Sequence, residues 1–356
     1  MLVTKLRHHG DVLLSSPVFS TLARAIPGAE IDALVYLGTE PMLAGHPGIA
    51  QMHTIDRTWK KQGVATQVSS EWRLLRQLRA RRFDLLIHLT EHPRGLHLAR
   101  LLHPRWSVTR ERASHARIWR RQFTHFYSQP KHGLRHTVEA NLDALRRIGI
   151  YPDPQDKRVV LIPGREAQAR VEALLAQHGL APRGFIHLHP GSRWLFKCWP
   201  AARTAELIDR IVASGHRVVI TGAPEDRERA LIAAILAALT APARASTIDL
   251  TAQMTLSELA AFTRQARAFV GVDSAPMHIA AAMGTPVVAL FGPSSETKWG
   301  PWGVAARVIA SDRHPCRPCE LDGCGGSKVS DCLTTLPVDR VYEGLESLLA
   351  QTRSEA

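Results

Sequence analysis

Three short stretches hold residues able to handle an anionic ligand, and each stands where an apolar run meets a helix-like segment. They are His8-His9-Gly10-Asp11; then His189-Pro190-Gly191-Ser192-Arg193 with Lys197-Cys198-Trp199-Pro200; then Gly271-Val272-Asp273-Ser274-Ala275-Pro276-Met277-His278. In the second, Gly191 lets the chain turn, Ser192 and backbone N–H groups can hold phosphate oxygens, and Arg193 and Lys197 can neutralise them. Pro200 sets a helix start just behind these cations, which weakens the alternative of a loop with two solvated charges. In the third, Asp273 or Ser274 can cap the helix, Pro276 suits its first turn, and the exposed N–H groups attract a phosphate. His278 falls one turn in on an otherwise apolar helix, where a lone histidine is normally a satisfied core residue. Asp11 offers a carboxylate at a strand's C-terminal edge; spacing alone leaves it either facing a ligand or capping the helix. Three spaced glycines would mark a dinucleotide site in that turn, and only Gly10 is there.

Cysteine supplies a fourth constellation. Cys316, Cys319, Cys324 and Cys332 follow a C-x2-C-x4-C-x7-C spacing, while Cys198 stands alone. Four thiolates suffice for a tetrahedral zinc, but the second pair is too widely spaced for a standard ribbon. A structural zinc and four reduced thiols in a compact loop are both open.

The elements that must carry these turns alternate strand-like and helix-like patterns twice over, the signature of parallel sheets covered by helices. Strands are predicted at 2–6, 31–35 and 85–89, with a helix at 17–25 and an Arg-rich helix around 72–82. That helix sets Leu74, Leu75 and Leu78 against Arg73, Arg76, Arg79, Arg81 and Arg82, a pattern preferred here as a solvated amphipathic face. Tyr151-Pro152-Asp153-Pro154 interrupts both periodicities. A second series follows, with strands at 185–188, 217–221, 268–272 and 286–291, helices at 200–214, 226–239 and 276–283, and a last helix at 339–350. The expected fold class is α/β, two doubly wound domains facing a central cleft. Domain one is placed at 1–155, a linker region at 156–180, domain two at 181–335, and a helix and tail at 336–356.

The chain's 356 residues are enough for two such cores, and its 45% hydrophobic and 22% charged residues suit a globular protein. Its 45 Lys and Arg against 32 Asp and Glu are unevenly placed: residues 1–150 hold 23 and 11, the remainder 22 and 21. An anionic partner should therefore meet the N-terminal half. A nucleic-acid module would add aromatic stacking platforms or a groove-reading helix, and 6% aromatics with no module pattern argue against it. No run of 18 to 20 apolar residues is long enough to cross a bilayer, and the N-terminus lacks a signal-peptide core. A cytoplasmic protein is expected.

Taken in order, Gly10-Asp11-Val12-Leu13 with Ser16-Pro17, Pro190-Gly191-Ser192 with Lys197-x-Trp199-Pro200, Gly222-Ala223-Pro224-Glu225, Asp273-Ser274-Ala275-Pro276-Met277-His278 and Phe291-Gly292-Pro293-Ser294 resemble the lipopolysaccharide heptosyltransferases. These are inverting glycosyltransferases that use ADP-heptose. His8-His9-Gly10-Asp11-Val12-Leu13-Leu14 and the cysteine-rich tail look most like the heptosyltransferase III branch.

The resemblance implies a GT-B fold, with the acceptor held by the first domain and ADP-heptose by the second. It implies metal-independent catalysis without a cofactor, Asp11 as general base and Lys197 as the cation stabilising the departing diphosphate. ADP-heptose would be bound by Ser192, Arg193, Lys197, Asp273, Ser274, Ala275 and His278, with Met254 near the adenine and Glu225 or Asp226 at the ribose. Arg57, Lys60 and Lys61 fall where the family has a basic acceptor loop. The implied partners are ADP-heptose, a lipid-linked inner-core lipopolysaccharide and the surface of the inner membrane, with no nucleic acid. A type I or II heptosyltransferase and a GT-B transferase for another nucleotide sugar are the alternatives.

Overall fold

The computed structural model describes residues 1–111, 117–128 and 135–354, in two compact units, Met1–Ile162 and Pro163–Ala356. Six strands of the first unit, β1 (Leu2–Thr4), β2 (Asp32–Tyr36), β3 (Gln51–Ile55), β4 (Leu85–His88), β5 (Trp106–Arg110) and β6 (His125–Tyr127), form one sheet in the order β3-β2-β1-β4-β5-β6. The second unit repeats the plan with β7 (Phe185–His189), β8 (Arg217–Ile220), β9 (Thr247–Asp249), β10 (Ala268–Val272), β11 (Val287–Phe291) and β12 (Ala306–Ala310), in the order β12-β11-β10-β7-β8-β9. Every pairing is parallel.

Strands covered by helices on both faces have no polar side, so they read as unbroken apolar runs. All residues of β4, β10 and β11 are buried accordingly. Helix Ala201–Ala213 buries Thr204, Ile208 and Ile211, a three-to-four spacing that lays one stripe on the sheet. In the same core lie Ile186 and Val218 from the sheet and Val341, Leu345 and Leu348 from the last helix, Val338–Ser354.

Two of the differences from the sequence reading have a plain physical reason. The segment expected as a linker carries helix Arg165–Gln177, which buries Val171, Leu174 and Leu175 among Phe185, Phe262 and Leu250. Its apolar stripe is short and has partners remote in sequence, so its burial is decided by the tertiary fold. The Arg-rich helix runs Val64–Ala80 rather than starting near Trp72: its early turns bury no side chain, so no core-facing stripe marks them in the sequence. Among the described residues, no helix is long and apolar enough to cross a membrane.

In each sheet the chain winds outward through three strands and then crosses back to the other side of its starting strand. The reversal falls between β1 and β4 in the first unit and between β7 and β10 in the second. Loops leaving the carboxyl ends of these strands diverge, and an open parallel sheet receives ligands there.

Candidate active site

The second unit's reversal point gathers two of the sequence-selected turns. Lys197 ends a short 3-10 turn, Leu195–Lys197, anchored by buried Phe196, whose carbonyl accepts Ser330 Oγ at 2.6 Å. Its Nζ donates to Oδ2 of Asp273, just beyond β10, at 2.6 Å. The Asp273 side chain is nearly buried and that of Lys197 is about a fifth exposed, so the ammonium lies at the solvent edge of the pair. A phosphate arriving there meets a cation already held in place.

Beside the pair begins helix Ala275–Ala282, with Pro276 in its first turn. Ser274 is its N-cap, yet its side chain makes no capping bond, and its buried Oγ has no hydrogen-bond partner. Pro276 has no N–H and the Met277 N–H donates to the Ser274 carbonyl at 3.2 Å, which leaves the Ala275 N–H and the unused Ser274 hydroxyl as the donors of this helix start. His278, only 4% exposed, lies one turn in, its ring centroid 6.4 Å from that of Trp299. Ser192 is buried in the turn after β7, where its Oγ accepts the Trp194 N–H at 3.3 Å. Arg193 is exposed, its guanidinium 5.3 Å from the Trp194 ring centre.

The turn after β8 supplies the remaining acids. Glu225 is the N-cap of helix Asp226–Ala237 and Asp226 its first residue, and both are exposed. Met254, half-buried after β9, packs against the core that contains Leu250 and Phe262. Sequence reasoning missed Glu228, which is only 7% exposed and accepts the Ala223 N–H at 3.0 Å. Burial raises its pKa, but His189 and the Ala223 N–H outweigh that and hold the carboxyl below its ordinary value. In the sequence it is one more acid in a helix's first turn; its one signal is Gly191, far along the chain, whose absent side chain makes room for it.

In the first unit, β1 leads into helix His9–Leu13, which places Asp11 in the first turn. The N-cap is His8, so Asp11 is not the capping residue. Behind it, Lys5 is buried and donates to Asn141 Oδ1 at 3.0 Å and the Leu89 carbonyl at 3.3 Å. Burial lowers the Lys5 pKa, against the nearby charge of Asp11, which raises it. Arg57, Lys60 and Lys61 share the exposed 3-10 turn Arg57–Lys61 after β3, started by Asp56, which accepts the Thr58 N–H at 2.7 Å. The Arg57 guanidinium stacks 4.8 Å from the Tyr36 ring centre. Since the strands are parallel, this turn and Asp11 lie along one edge of the sheet, two strands apart.

All five cysteines are free, and among the described residues no three His, Cys, Asp or Glu side chains are grouped to hold an ion. Burial pushes the Cys198 thiol up to about 12, so it stays protonated and unreactive.

Two doubly wound parallel sheets, each with its candidate residues beyond the strand ends, define the GT-B class of glycosyltransferases. The profile of glycosyltransferase family 9 (heptosyltransferase) matches residues 71–329. Lipopolysaccharide heptosyltransferase 3 of Escherichia coli K12 is 33% identical over 99% of this chain and 98% of its own. Among solved structures, a family 9 glycosyl transferase from Veillonella parvula superposes with a TM-score of 0.82 at 23% identity, covering 98% of this chain and 97% of the other. The E. coli ADP-heptose lipopolysaccharide heptosyltransferase II gives 0.77 at 23% identity, over 99% of both chains. The chain belongs to glycosyltransferase family 9, the heptosyltransferases, and is an enzyme of that family.

Proposed function

We propose that this enzyme moves a heptose from ADP-heptose to a heptose of the lipopolysaccharide inner core, in the manner of a type III heptosyltransferase. The observation that carries this reading is the Lys197–Asp273 pair beside the open amino end of helix Ala275–Ala282. The end-to-end likeness to an E. coli lipopolysaccharide heptosyltransferase 3 supports the choice of sugar and acceptor. In this reading Lys197, Ser192, Arg193 and the N–H groups at Ser274 and Ala275 take the diphosphate. Asp273 and His278 bind toward the sugar, Glu225 or Asp226 meets the ribose, and Met254 lies against the adenine.

Transfer proceeds with inversion: the acceptor oxygen attacks the anomeric carbon from the face opposite ADP while Asp11 takes its proton. Charge building on the departing diphosphate is met by Lys197 and the helix N–H groups, which are oriented before the reaction begins. No metal or cofactor is assigned a step. Arg57, Lys60 and Lys61 hold anionic groups of the lipid-linked acceptor.

The enzyme is placed in the cytoplasm, peripheral on the inner membrane. Helix Val64–Ala80 favours that placement, since Val64, Val68 and Trp72 follow one another at four-residue spacing with exposures of 79%, 61% and 60% beside Arg73 and Arg76. The deciding experiment is transfer from ADP-heptose to defined truncated lipopolysaccharides, with product mass and linkage determined. A product whose anomeric configuration is opposite to that of the donor supports inversion, and one that keeps the donor's configuration rules it out. Preference for UDP or GDP over ADP would replace the donor assigned here.

A further inference from the structure

Beneath the donor turns, the carboxyl ends of β7 and β8 are joined by an unbroken run of polar side chains. Thr263, on helix Leu256–Arg264, gives its hydroxyl proton to the Leu259 carbonyl at 2.7 Å, and so accepts from Nδ1 of His187 at 3.0 Å. His187 is fully buried, and burial keeps its imidazole neutral. With its one proton on Nδ1, its Nε2 accepts from the Thr221 hydroxyl at 2.7 Å. The Thr221 oxygen then accepts from Nδ1 of His189 at 2.8 Å. His189 therefore carries a proton on Nδ1, while its Nε2 faces Oε2 of Glu228 at 3.6 Å. That sets the edge of the imidazole against the carboxylate. The same Oε2 takes the Ala223 N–H, and a Cβ built on Gly191 would stand 2.2 Å from it, so the turn after β7 lies directly on the carboxylate.

We infer that Glu228 is a positioning residue for the donor: held between the Ala223 N–H, the edge of the His189 imidazole and the Gly191 turn, it ties turn 190–192 to turn 222–225. It sets the distance between the groups assigned to the diphosphate and those assigned to the ribose. The inference rests on the donor assignment proposed above.

Glu228→Ala removes the acceptor of the Ala223 N–H and the carboxylate beside His189. The Kd for ADP and the KM for ADP-heptose should each rise about tenfold, the range for a buried donor left unsatisfied. The acceptor's KM should stay nearly unchanged, and Glu228→Gln, which still offers an oxygen to Ala223, should recover much of the loss. A purely structural role would lower the melting temperature and the active fraction without moving the donor's constants, and that result, or equal shifts for donor and acceptor, overturns the inference. Should Glu228→Ala fail to fold, imidazole nitrogen NMR of the unaltered protein reads the pair directly, with His187→Gln and His189→Gln assigning the signals. His187 should be neutral with its proton on Nδ1, and the Nε2 signal of His189 should move in Glu228→Gln. A His189 Nε2 signal unmoved by Glu228→Gln overturns the inference. Failure of the unaltered protein to bind ADP would strike the donor assignment instead, and the nitrogen spectra would then decide the pair.

Discussion

Asp11 and Lys197 follow the first strand of their respective sheets, on the side where the winding reverses, and each is assigned one end of the same displacement. Asp11→Asn keeps size and polarity but removes the base, so turnover should fall roughly 10² to 10⁴-fold with ADP affinity retained. Near-native turnover in steady-state assays would leave Asp11 with only a helix-end charge interaction. Lys197→Ala should weaken ADP-heptose binding and lower turnover together, because one cation meets both the ground-state phosphates and the charge that develops. It also leaves the nearly buried Asp273 unpaired, so melting curves must accompany the kinetics. Loss of stability with unchanged kinetic constants would return Lys197 to a structural cation.

At the scale of elements, the turn Arg57–Lys61 and the helix Val64–Ala80 are consecutive but serve different parts of the proposal. Gly63, with φ of +99°, separates them in a backbone conformation that side chains rarely adopt. Replacing Arg57, Lys60 and Lys61 by Gln should raise the acceptor's KM and flatten its salt dependence while leaving ADP-heptose binding nearly unchanged. Equal losses for donor and acceptor would point to a role in folding. The helix is tested separately, by sedimentation with phosphatidylglycerol vesicles. Val68→Ser with Trp72→Ser should cut binding at least about tenfold, since the lost apolar area is what enters the interface. Undiminished sedimentation of that variant would remove this face from the membrane proposal.

The whole molecule carries a pH dependence of stability written by its buried histidines. Burial lowers His46 to about 4 and His88 to about 3, against 6.5 when exposed. A lowered folded pKa means that the unfolded chain binds protons first. The stability these groups permit is complete above pH 6.5 and is lost as pH falls toward their folded values. Each should cost roughly 1.4 kcal/mol per pH unit in that window. Thermal melts at pH 7, 6 and 5 should show a falling midpoint, and His46→Asn, which can still accept the Gly48 N–H now held by Nδ1 at 3.1 Å, should make the fall shallower. A midpoint independent of pH across this window would contradict the assigned burial.

Local patterning determined the two doubly wound sheets and the three turns beyond their strands, because unbroken apolar runs, turn glycines and helix-starting prolines act within a few residues of themselves. That is why Asp273, Ser274 and Lys197 were legible before any coordinates. Asp273 and Lys197 are 76 residues apart in the chain, and only the parallel pairing of β7 with β10 brings them to hydrogen-bond distance. The helix Arg165–Gln177 escaped notice for a related reason: its apolar stripe is completed by Phe185 and Phe262, which fold against it from later in the chain. Glu228 was less visible still. A carboxylate in a helix's first turn looks solvated in any window of sequence, and it becomes a buried partner of His189 and Ala223 only when two strands and a glycine turn close over it. Burial and charge pairing depend on what arrives from elsewhere in the chain, and the tertiary structure alone decides them.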